Sequence, residues 1–390
     1  MRLTQRKKLL IYKVVLFVFA FVIAFMPSTA TRNREVNRRV IVDIVGIDSS
    51  DMGVELSAQY VMPTETDGAT SKDKITVKAK TVQEAAELLN TALGRRAELG
   101  HCSMVILGDG VLPKHISDLI TATDITADVY LAAAKEKASE LVGSITEFMK
   151  KTGATDADFI AYGAKKSHIA TNTLLGFLSD IGSKSETAFA PLVEMIEEEG
   201  SSSGGGSSGG GSSGESGGGS SGSQSGGGGG SSSSGGSGGS GETGMKVEKL
   251  ALYGKNGRVG ILDSTAARGV AWVSSPEGNG VISSGEFTGR IIKKKSSIEV
   301  DGKNKSATVK VKASIDTHSM YEEENEEVDL EKKFESEIKK ELKSGYDDAL
   351  SYGRDPMFIL REMYRYAPDA AEHSSIDDID VKFFVEVTVK

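Results

Sequence analysis

The chain has 390 residues, of which 38% are hydrophobic and 26% are charged, and its net charge is −9. These proportions are typical of globular proteins. Its single cysteine, Cys102, excludes an internal disulfide framework and a cysteine-rich zinc or iron–sulfur site. Free cysteines are usually buried, and Cys102 stands beside an apolar run, so we predict that it is a small core residue.

The first 30 residues have the pattern of an export signal. Five basic residues and no acid flank an uninterrupted apolar run of 13 residues, Val14–Met26. This run is shorter than the ~20 residues of a full membrane span, which favours a signal peptide with Ser28 and Ala30 before the cut. An uncleaved anchor is the alternative, if Leu9–Tyr12 extend the run. In both cases the positive-inside bias places everything after Thr31 outside.

The remainder of the chain is acidic. Because the first 30 residues contribute +5 to the total of −9, the exported part carries −14. Nucleic acids and anionic headgroups need an excess of Lys and Arg, so this charge argues against either as the main partner. We interpret the short basic run from Arg32 to Arg39 as solvation next to the membrane or as a stop to cleavage.

The first block, from residue 31 to residue 199, begins with β-rich sequence. Alternating or β-branched patterns predict three strands, at Val40–Ile47, Val54–Pro63 and Lys74–Lys80. Thr81 is expected to cap a helix over residues 82–93, with Glu84 at the position that a capping box requires. A strand at Ser103–Leu107 would complete a β–α–β unit.

From Pro113 the pattern of the first block becomes helical. We expect small helices around one core, although Val129–Ala134 is also compatible with a strand. The block ends in a partly extended segment around Pro191. A Gly/Ser-rich tract over residues 200–244 follows, and its composition predicts a flexible tether.

The second block, residues 245–390, begins with a predicted hairpin. Its turn is Gly254-Lys255-Asn256-Gly257, and Asp263 is expected to cap the short helix that follows. Two alternating strands, a helix of about 25 residues and a C-terminal strand complete the pattern. The predicted fold class is α+β, with two or three mixed α/β domains, split by the tether. The last domain is a sheet packed by one long helix.

The sequence contains no catalytic or metal-binding pattern that we recognise. The five histidines are scattered, and there is no nucleophile elbow, phosphate loop or dinucleotide fingerprint. Two acid-rich stretches, DDALSYGRDP and SSIDDIDV, lack the spacing of a calcium loop, and we interpret them as solvated. We therefore predict no enzymatic activity, no metal, no cofactor and no nucleic-acid partner.

Motifs in both blocks resemble the spore germination receptor C-subunit family, the Ger(x)C or GerAC-like proteins. The first block carries the family's Thr-led helix, its "R, apolar, GH" segment and its strand ending in glycine, at Thr81, Arg95 or Arg96, Gly100, His101, Ile106 and Gly108. The second block carries Gly260, Leu262, Asp263, Gly269, Trp272, Asp348 and Gly353 at matching positions. From Arg39 to Lys390 these motifs follow each other in the order typical of the family. We therefore predict that the tether lies within one family member and does not join two unrelated modules.

The resemblance implies a non-enzymatic subunit of a nutrient-responsive germination receptor, on the outer face of the inner spore membrane. Its partners would be the polytopic A- and B-type subunits. Members of the family resemble lipoproteins, yet no cysteine lies near Ala30, so no lipidation site is predicted. Membrane association would then depend on the N-terminal segment or on the partners.

The same resemblance marks six residues as candidate interface or motif residues: Arg95, Arg96, His101, Asp263, Trp272 and Asp348. For Trp272 the alternative is a role in the core. For the two arginines the alternative is that they only solvate the end of a helix. Other functions stay open at this point. A secreted solute-binding protein of a transporter would need a ligand cleft between two domains. An envelope-associated interaction protein needs no cleft, and a wall hydrolase would need paired carboxylates or a metal triad.

Overall fold

The computed structural model describes residues 13–19, 21, 39–63, 70–152, 158–196, 244–275, 280–317 and 329–390. Most of the predicted signal and nearly all of the tether lie outside the described residues. Among these residues, none of the helices is long and apolar enough to span a bilayer. One compact unit comprises Met1–Glu194 together with Lys246–Lys390, and a second comprises Met195–Met245. Below, residues 39–194 are called the N-terminal half and residues 246–390 the C-terminal half of the first unit.

The first sheet starts with an antiparallel meander of β1 (Arg39–Ser50), β2 (Gly53–Pro63) and β3 (Thr70–Ala79). Helix α1 (Val82–Leu93) then crosses to β4 (Arg96–Glu98) and β5 (Met104–Leu107), which both run parallel to β1. The predicted β–α–β unit is therefore confirmed. Thr81 Oγ1 accepts a hydrogen bond from Glu84 N at 3.1 Å, as expected, while Glu84 Oε2 accepts from Lys80 N at 3.0 Å.

Beyond β5 the sheet alternates with helices. Its next elements are α2 (Pro113–Ala122), β6 (Tyr130–Ala134), α3 (Ala138–Thr152), α4 (Asp158–Lys166), β7 (Asn172–Thr173), α5 (Leu174–Gly182) and β8 (Ala188–Ile196). The stretch that was compatible with either a helix or a strand is the strand β6. It is buried and runs parallel to β5 and β8, which explains why its sequence is a continuous apolar run.

The two strands after the tether also belong to the first sheet. β9 (Gly244–Gly254) lies next to β8, and β10 (Gly257–Leu262) pairs with β9 across the predicted turn. Tyr253 on β9 is fully buried, and its ring packs against Phe177 with centroids 5.2 Å apart. The tether therefore leaves the sheet at one strand and returns at the neighbouring strand. The division into domains at residues 31–199, 200–244 and 245–390 stays a prediction.

The second sheet lies wholly within the C-terminal half. It consists of β11 (Val281–Ser284), β12 (Phe287–Asp301), β13 (Ser306–Asp316) and β14 (Asp380–Val389), in that order. β13 and β14 are parallel, so the chain must cross over between them. The crossover contains α7 (Leu330–Ser351), α8 (Ile359–Tyr366) and α9 (Pro368–Glu372). The predicted long helix and the alternating C-terminal strand are both confirmed.

A close crossing of two helices holds the second sheet to the segment that follows β10. Asp263 caps α6 (Ser264–Ser274) as predicted, because its Oδ1 accepts from Ala266 N at 2.9 Å. Where α6 meets α7, a Cβ added to Gly269 would stand 1.9 Å from the backbone oxygen of Glu341. Glycine is needed there because the two backbones are in contact.

The variant Gly269→Ala tests this crossing. We expect its free energy of unfolding to fall by at least ~2 kcal/mol, since the added methyl group forces the two helices apart. Urea denaturation of the full chain in detergent, followed by circular dichroism, measures the change. The matched control is Gly182→Ala at the end of α5, where a Cβ meets no atom within 4 Å and stability should rise by up to ~1 kcal/mol. Equal stability of Gly269→Ala and the wild type would contradict the crossing.

Candidate functional site

The six residues marked by the sequence lie in two groups. Arg95, Arg96 and His101 are exposed around β4 in the N-terminal half, where Arg96 is the cross-strand partner of Arg39. Arg39 in turn pairs with Glu98 at 2.5 Å. The other three, Asp263, Trp272 and Asp348, lie on α6 and α7 or at their ends. An interface role for either group stays a prediction.

Trp272 is a core residue and connects several elements. It is 0% exposed, and its indole nitrogen donates to Glu341 Oε2 at 2.7 Å. Arg268 Nε donates to the other oxygen of Glu341, also at 2.7 Å. Burial raises the pKa of Glu341, while the two donors act in the opposite direction. The ring of His168, from the N-terminal half, stands 4.4 Å from the Trp272 ring, so the cluster spans both halves.

A buried lysine lies beside this cluster. Lys294 on β12 donates to the carbonyl oxygen of Ala271 in the last turn of α6, and its ammonium group is 5.8 Å from the centroid of the Trp272 ring. Burial lowers the pKa of Lys294 to about 7. The helix carbonyl and the ring face are the groups that partly offset the cost of burying this amine.

The main polar joint between the halves is built around Asp355. This carboxylate is 2% exposed and follows α7. It belongs to the acid-rich stretch DDALSYGRDP, for which the sequence predicts solvation, and this prediction is wrong at Asp355. Its Oδ2 accepts from Ser185 Oγ at 2.7 Å and from Leu360 N at 2.8 Å, and its Oδ1 accepts from Ile359 N at 3.0 Å. The carboxylate thus binds the first turn of α8 and the segment before β8 at once.

Burial raises the pKa of Asp355 to about 6, although the hydrogen bonds from Ser185, Leu360 and Ile359 favour the ionised form. The joint has further contacts across the halves: Asp355 N donates to Thr187 Oγ1 at 3.1 Å, and Arg361 N donates to Ser185 Oγ at 3.2 Å. The halves are therefore held by buried hydrogen bonds as well as by the shared sheet.

A cavity of about 440 Å³ lies next to this joint, and both halves line it. Its polar lining includes Asn172, Asp180, Ser296, Ser297, Arg361 and Glu362. Its apolar lining includes Phe189, Val273, Ile298, Met357 and Phe358. A cavity of this size, with both polar and apolar groups in its lining, falls within the volume range of small-molecule sites.

The charged groups of the cavity are held in fixed positions. Arg361 Nη1 donates to Asp180 Oδ1 at 3.3 Å, and its guanidinium lies 4.0 Å from the centroid of the Phe358 ring. Asn172 Nδ2 donates to Asp180 Oδ2 at 3.0 Å. Burial raises the pKa of Asp180, while Asn172 and Arg361 lower it. Glu362 stands on the other side of Arg361, with Oε1 3.8 Å from Nε.

Sequence reasoning did not find these cavity residues. Asn172, Asp180, Arg361 and Glu362 are ordinary polar residues at element ends or on short helices, and nothing in their spacing links them. Asp180 and Arg361 are 181 positions apart. Only the neighbouring Asp355-Pro356 offered a signal, as a helix-ending dipeptide. Across the described ranges, no group of three or more His, Cys, Asp or Glu side chains could hold a metal ion. Cys102 is buried as predicted, and burial raises the pKa of its thiol to about 12.

Comparison with known proteins identifies the family. The model described as "Spore germination protein N-terminal domain" matches residues 32–195, and the one described as "Spore germination B3/GerAC like, C-terminal" matches residues 248–390. The chain belongs to the GerAC-like family of spore germination proteins. The resemblance found in the sequence is therefore confirmed, and the chain is a spore germination receptor subunit. Proteins of this family are membrane-associated.

Solved structures and curated proteins give two further comparisons. Among solved structures, one titled "Crystal Structure of the GerBC protein" is similar at 14% sequence identity with a TM-score of 0.48, and the match covers 88% of this chain and 96% of that chain. A search of curated proteins found no match.

The pH dependence of the joint can be measured through Asp355→Asn. The folded state keeps the Asp355 proton up to about pH 6, whereas the unfolded chain releases it near 3.8. The carboxyl group therefore contributes stability at low pH, and this contribution is lost as the pH rises through 6. Relative to the variant, the wild type should lose about 3 kcal/mol of unfolding free energy over this window.

Urea denaturation at a series of pH values between roughly 3.5 and 7, which cover the titration of Asp355, measures the difference between the two proteins. Other titrating groups cancel in this difference. Gly182→Ala, which removes no titrating group, is the control, and its curve should run parallel to that of the wild type. A parallel curve for Asp355→Asn as well would contradict the assignment.

Proposed function

We propose that this protein is the C-type subunit of a nutrient-responsive germination receptor, that it is not an enzyme, and that its folded part faces the outside of the inner spore membrane. The observation that carries the proposal is the match of two germination-protein models, in order, to both halves of the chain. The basic N-terminus followed by an apolar run supports export.

The architecture supports a role as one body that docks onto partners. The halves share a sheet across the tether, and they are joined by the buried Asp355 and by the contact of His168 with Trp272. A partner would therefore meet both halves in a constant relation, whatever the length of the tether. We propose that the polytopic A- and B-type subunits are these partners, and that the N-terminal segment or the partners hold the protein at the membrane.

The exposed group around β4 is the surface that we propose for this docking. Arg95, Arg96 and His101 are exposed, lie within seven residues of one another and stand on or beside β4, the strand that pairs with the start of β1. Residues 27–38 separate the apolar run from the start of β1, so this end of the sheet is the described β-structure nearest to that run in sequence. Acidic loops of a membrane partner would suit such a surface.

Crosslinking and affinity purification of a tagged full chain from spore membranes tests the proposal. We expect to recover a multi-span, permease-like protein and a second polytopic subunit. The charge reversals Arg95→Glu and Arg96→Glu, made together, should reduce this recovery several-fold and leave the fold intact, since both side chains are exposed.

Lys343→Glu on the exposed side of α7 is the matched control, because it reverses a charge far from β4 in sequence. Recovery of the wild-type chain from the medium without any membrane partner would reject the receptor role and favour a secreted binding protein. Unchanged recovery with the double reversal would reject only the proposed surface.

A further inference from the structure

Another cavity, of about 320 Å³, is lined by α4 of the N-terminal half and by the start of β11 and β12 of the C-terminal half. We call it the basic cavity. Among the described residues that line it, three are cationic and none is acidic. The lining residues are Tyr162, Lys165, Lys166, Gly280, Val281 and Arg290. Because the chain as a whole has more acidic than basic residues, its composition does not predict a cavity with this charge.

The cations of the basic cavity come from two separate elements. Lys165 and Lys166 end α4, where basic side chains offset the negative end of the helix dipole. This effect does not account for Arg290, which lies on β12 in the other half. The cross-strand neighbours of Arg290 are Val281, which lines the cavity, and Asp316, which does not. The arginine therefore adds its charge to the cavity for a reason other than helix capping.

Packing next to the basic cavity holds its two sides in place. Gly280 has a φ of +123°, and a Cβ added to it would stand 2.8 Å from the Cβ atom of His168. The loop after α4 is thus in direct contact with the residue before β11. On α4 itself, the ammonium group of Lys166 stands 5.2 Å from the centroid of the Tyr162 ring, and this contact limits the positions of the ammonium group.

The basic cavity is open to solvent. Tyr162 is 61% exposed and Val281 is 48% exposed, and the side chains of Lys166 and Arg290 are exposed as well. Among the described residues, neither Lys166 nor Arg290 forms an ion pair. Like charges around one cavity repel each other, and an anion from outside relieves this repulsion without breaking an existing pair. The cavity is therefore complementary to an anion.

The number and type of cations favour a phosphate group over a carboxylate. A phosphate monoester carries a charge of about −1.5 to −2 at pH 7 and offers three strong acceptor oxygens. The planar fork of an arginine binds two of these oxygens at once, and a lysine supplies a compact charge. A carboxylate brings a single negative charge and leaves most of the positive charge uncompensated. The cavity volume leaves room for an organic group attached to the phosphate.

We propose that the basic cavity binds a phosphate monoester group. Arg290 binds two of its oxygens, Lys165 and Lys166 supply the remaining positive charge, and the Tyr162 hydroxyl is a further donor. The group belongs either to a soluble ester or to a lipid headgroup, and its chemistry is the same in both. The acidic net charge of the chain is compatible with such a site, because binding depends on the local field. This inference does not rest on the receptor role, because it follows from the cavity alone.

Titration calorimetry of the full chain in detergent, at about pH 8 where the phosphate is dianionic, tests the ligand class. The probes are glycerol 3-phosphate and, as a monoanion, acetate. We expect glycerol 3-phosphate to bind at least about tenfold more tightly than acetate, and its affinity to fall as salt is added. Equal affinity for the two probes, or no heat with glycerol 3-phosphate, overturns the proposal.

A short-chain lipid distinguishes the two sources of the phosphate. Dihexanoyl phosphatidic acid carries the same phosphate on a glycerol that bears two acyl chains. Binding at least about tenfold tighter than that of glycerol 3-phosphate identifies a lipid headgroup, and equal or weaker binding identifies a soluble ester. Both results support a phosphate site, provided that the variants below weaken the binding. Lipid binding that these variants leave unchanged counts against the site.

Two charge-removing variants test the residues, one from each half. Arg290→Gln and Lys166→Gln should each weaken the binding of glycerol 3-phosphate by about tenfold. Arg290→Lys keeps the charge without the planar fork, and it should recover only part of the affinity. Lys295→Gln is the matched control, because it removes an exposed charge from the same strand at a position that does not line the cavity. It should bind glycerol 3-phosphate as the wild type does.

Circular dichroism of each variant separates loss of binding from loss of folding. All the substituted side chains are exposed, so we expect the fold to be kept. If Arg290→Gln unfolds, Lys166→Gln still tests the site. Wild-type affinity in the folded variants, or an equal loss in Lys295→Gln, would overturn the assignment. The membrane purification described above does not depend on this cavity, so the two proposals can fail separately.

Discussion

The structure depends on one constraint of β-sheets: the backbone groups along a strand edge need hydrogen-bond partners. β8 is a largely buried strand, and the tether follows it directly. If the chain after the tether folded apart, the edge of β8 would be left without a strand beside it, at a cost for each unpaired group. β9 meets this need from the other side of the tether. The sheet therefore fixes the two halves to one another independently of the tether's length.

The buried carboxylate of Asp355 determines which segments of the two halves meet, which pairing along a strand edge does not. A sheet edge is uniform along its length, whereas Asp355 accepts from one hydroxyl group of the N-terminal half and from two backbone N–H groups at the start of α8. Ionised and desolvated groups are tolerated only when their bonds are made, so the segment before β8 and the start of α8 are held together. Trp272 and Glu341 do the same for α6 and α7, with the ring of His168 as the link to the N-terminal half.

The cavity is a consequence of these two attachments. β8, α6, β12 and α8 meet beside the Asp355 joint, and each contributes residues to the cavity lining. Apolar atoms do not fill the space between these elements, and polar side chains from both halves line part of it. Arg361 belongs to both features, since its backbone N–H bonds to Ser185 in the joint and its side chain bonds to Asp180 in the cavity.

The sequence by itself determined the elements whose signals are local. Thr81 and Asp263 cap their helices through bonds to residues three positions on, and the alternating pattern of Val381 to Val389 shows one buried face of β14. Family motifs in both blocks were sufficient to indicate the family. Only the tertiary structure decided what depends on long-range contact. Nothing near Val247–Tyr253 says which sheet this strand joins, and nothing near Asp355 distinguishes a buried carboxylate from a solvated one. Asp180 and Arg361 meet because the sheet spans the tether, and a pairing between residues that distant leaves no periodicity in the sequence.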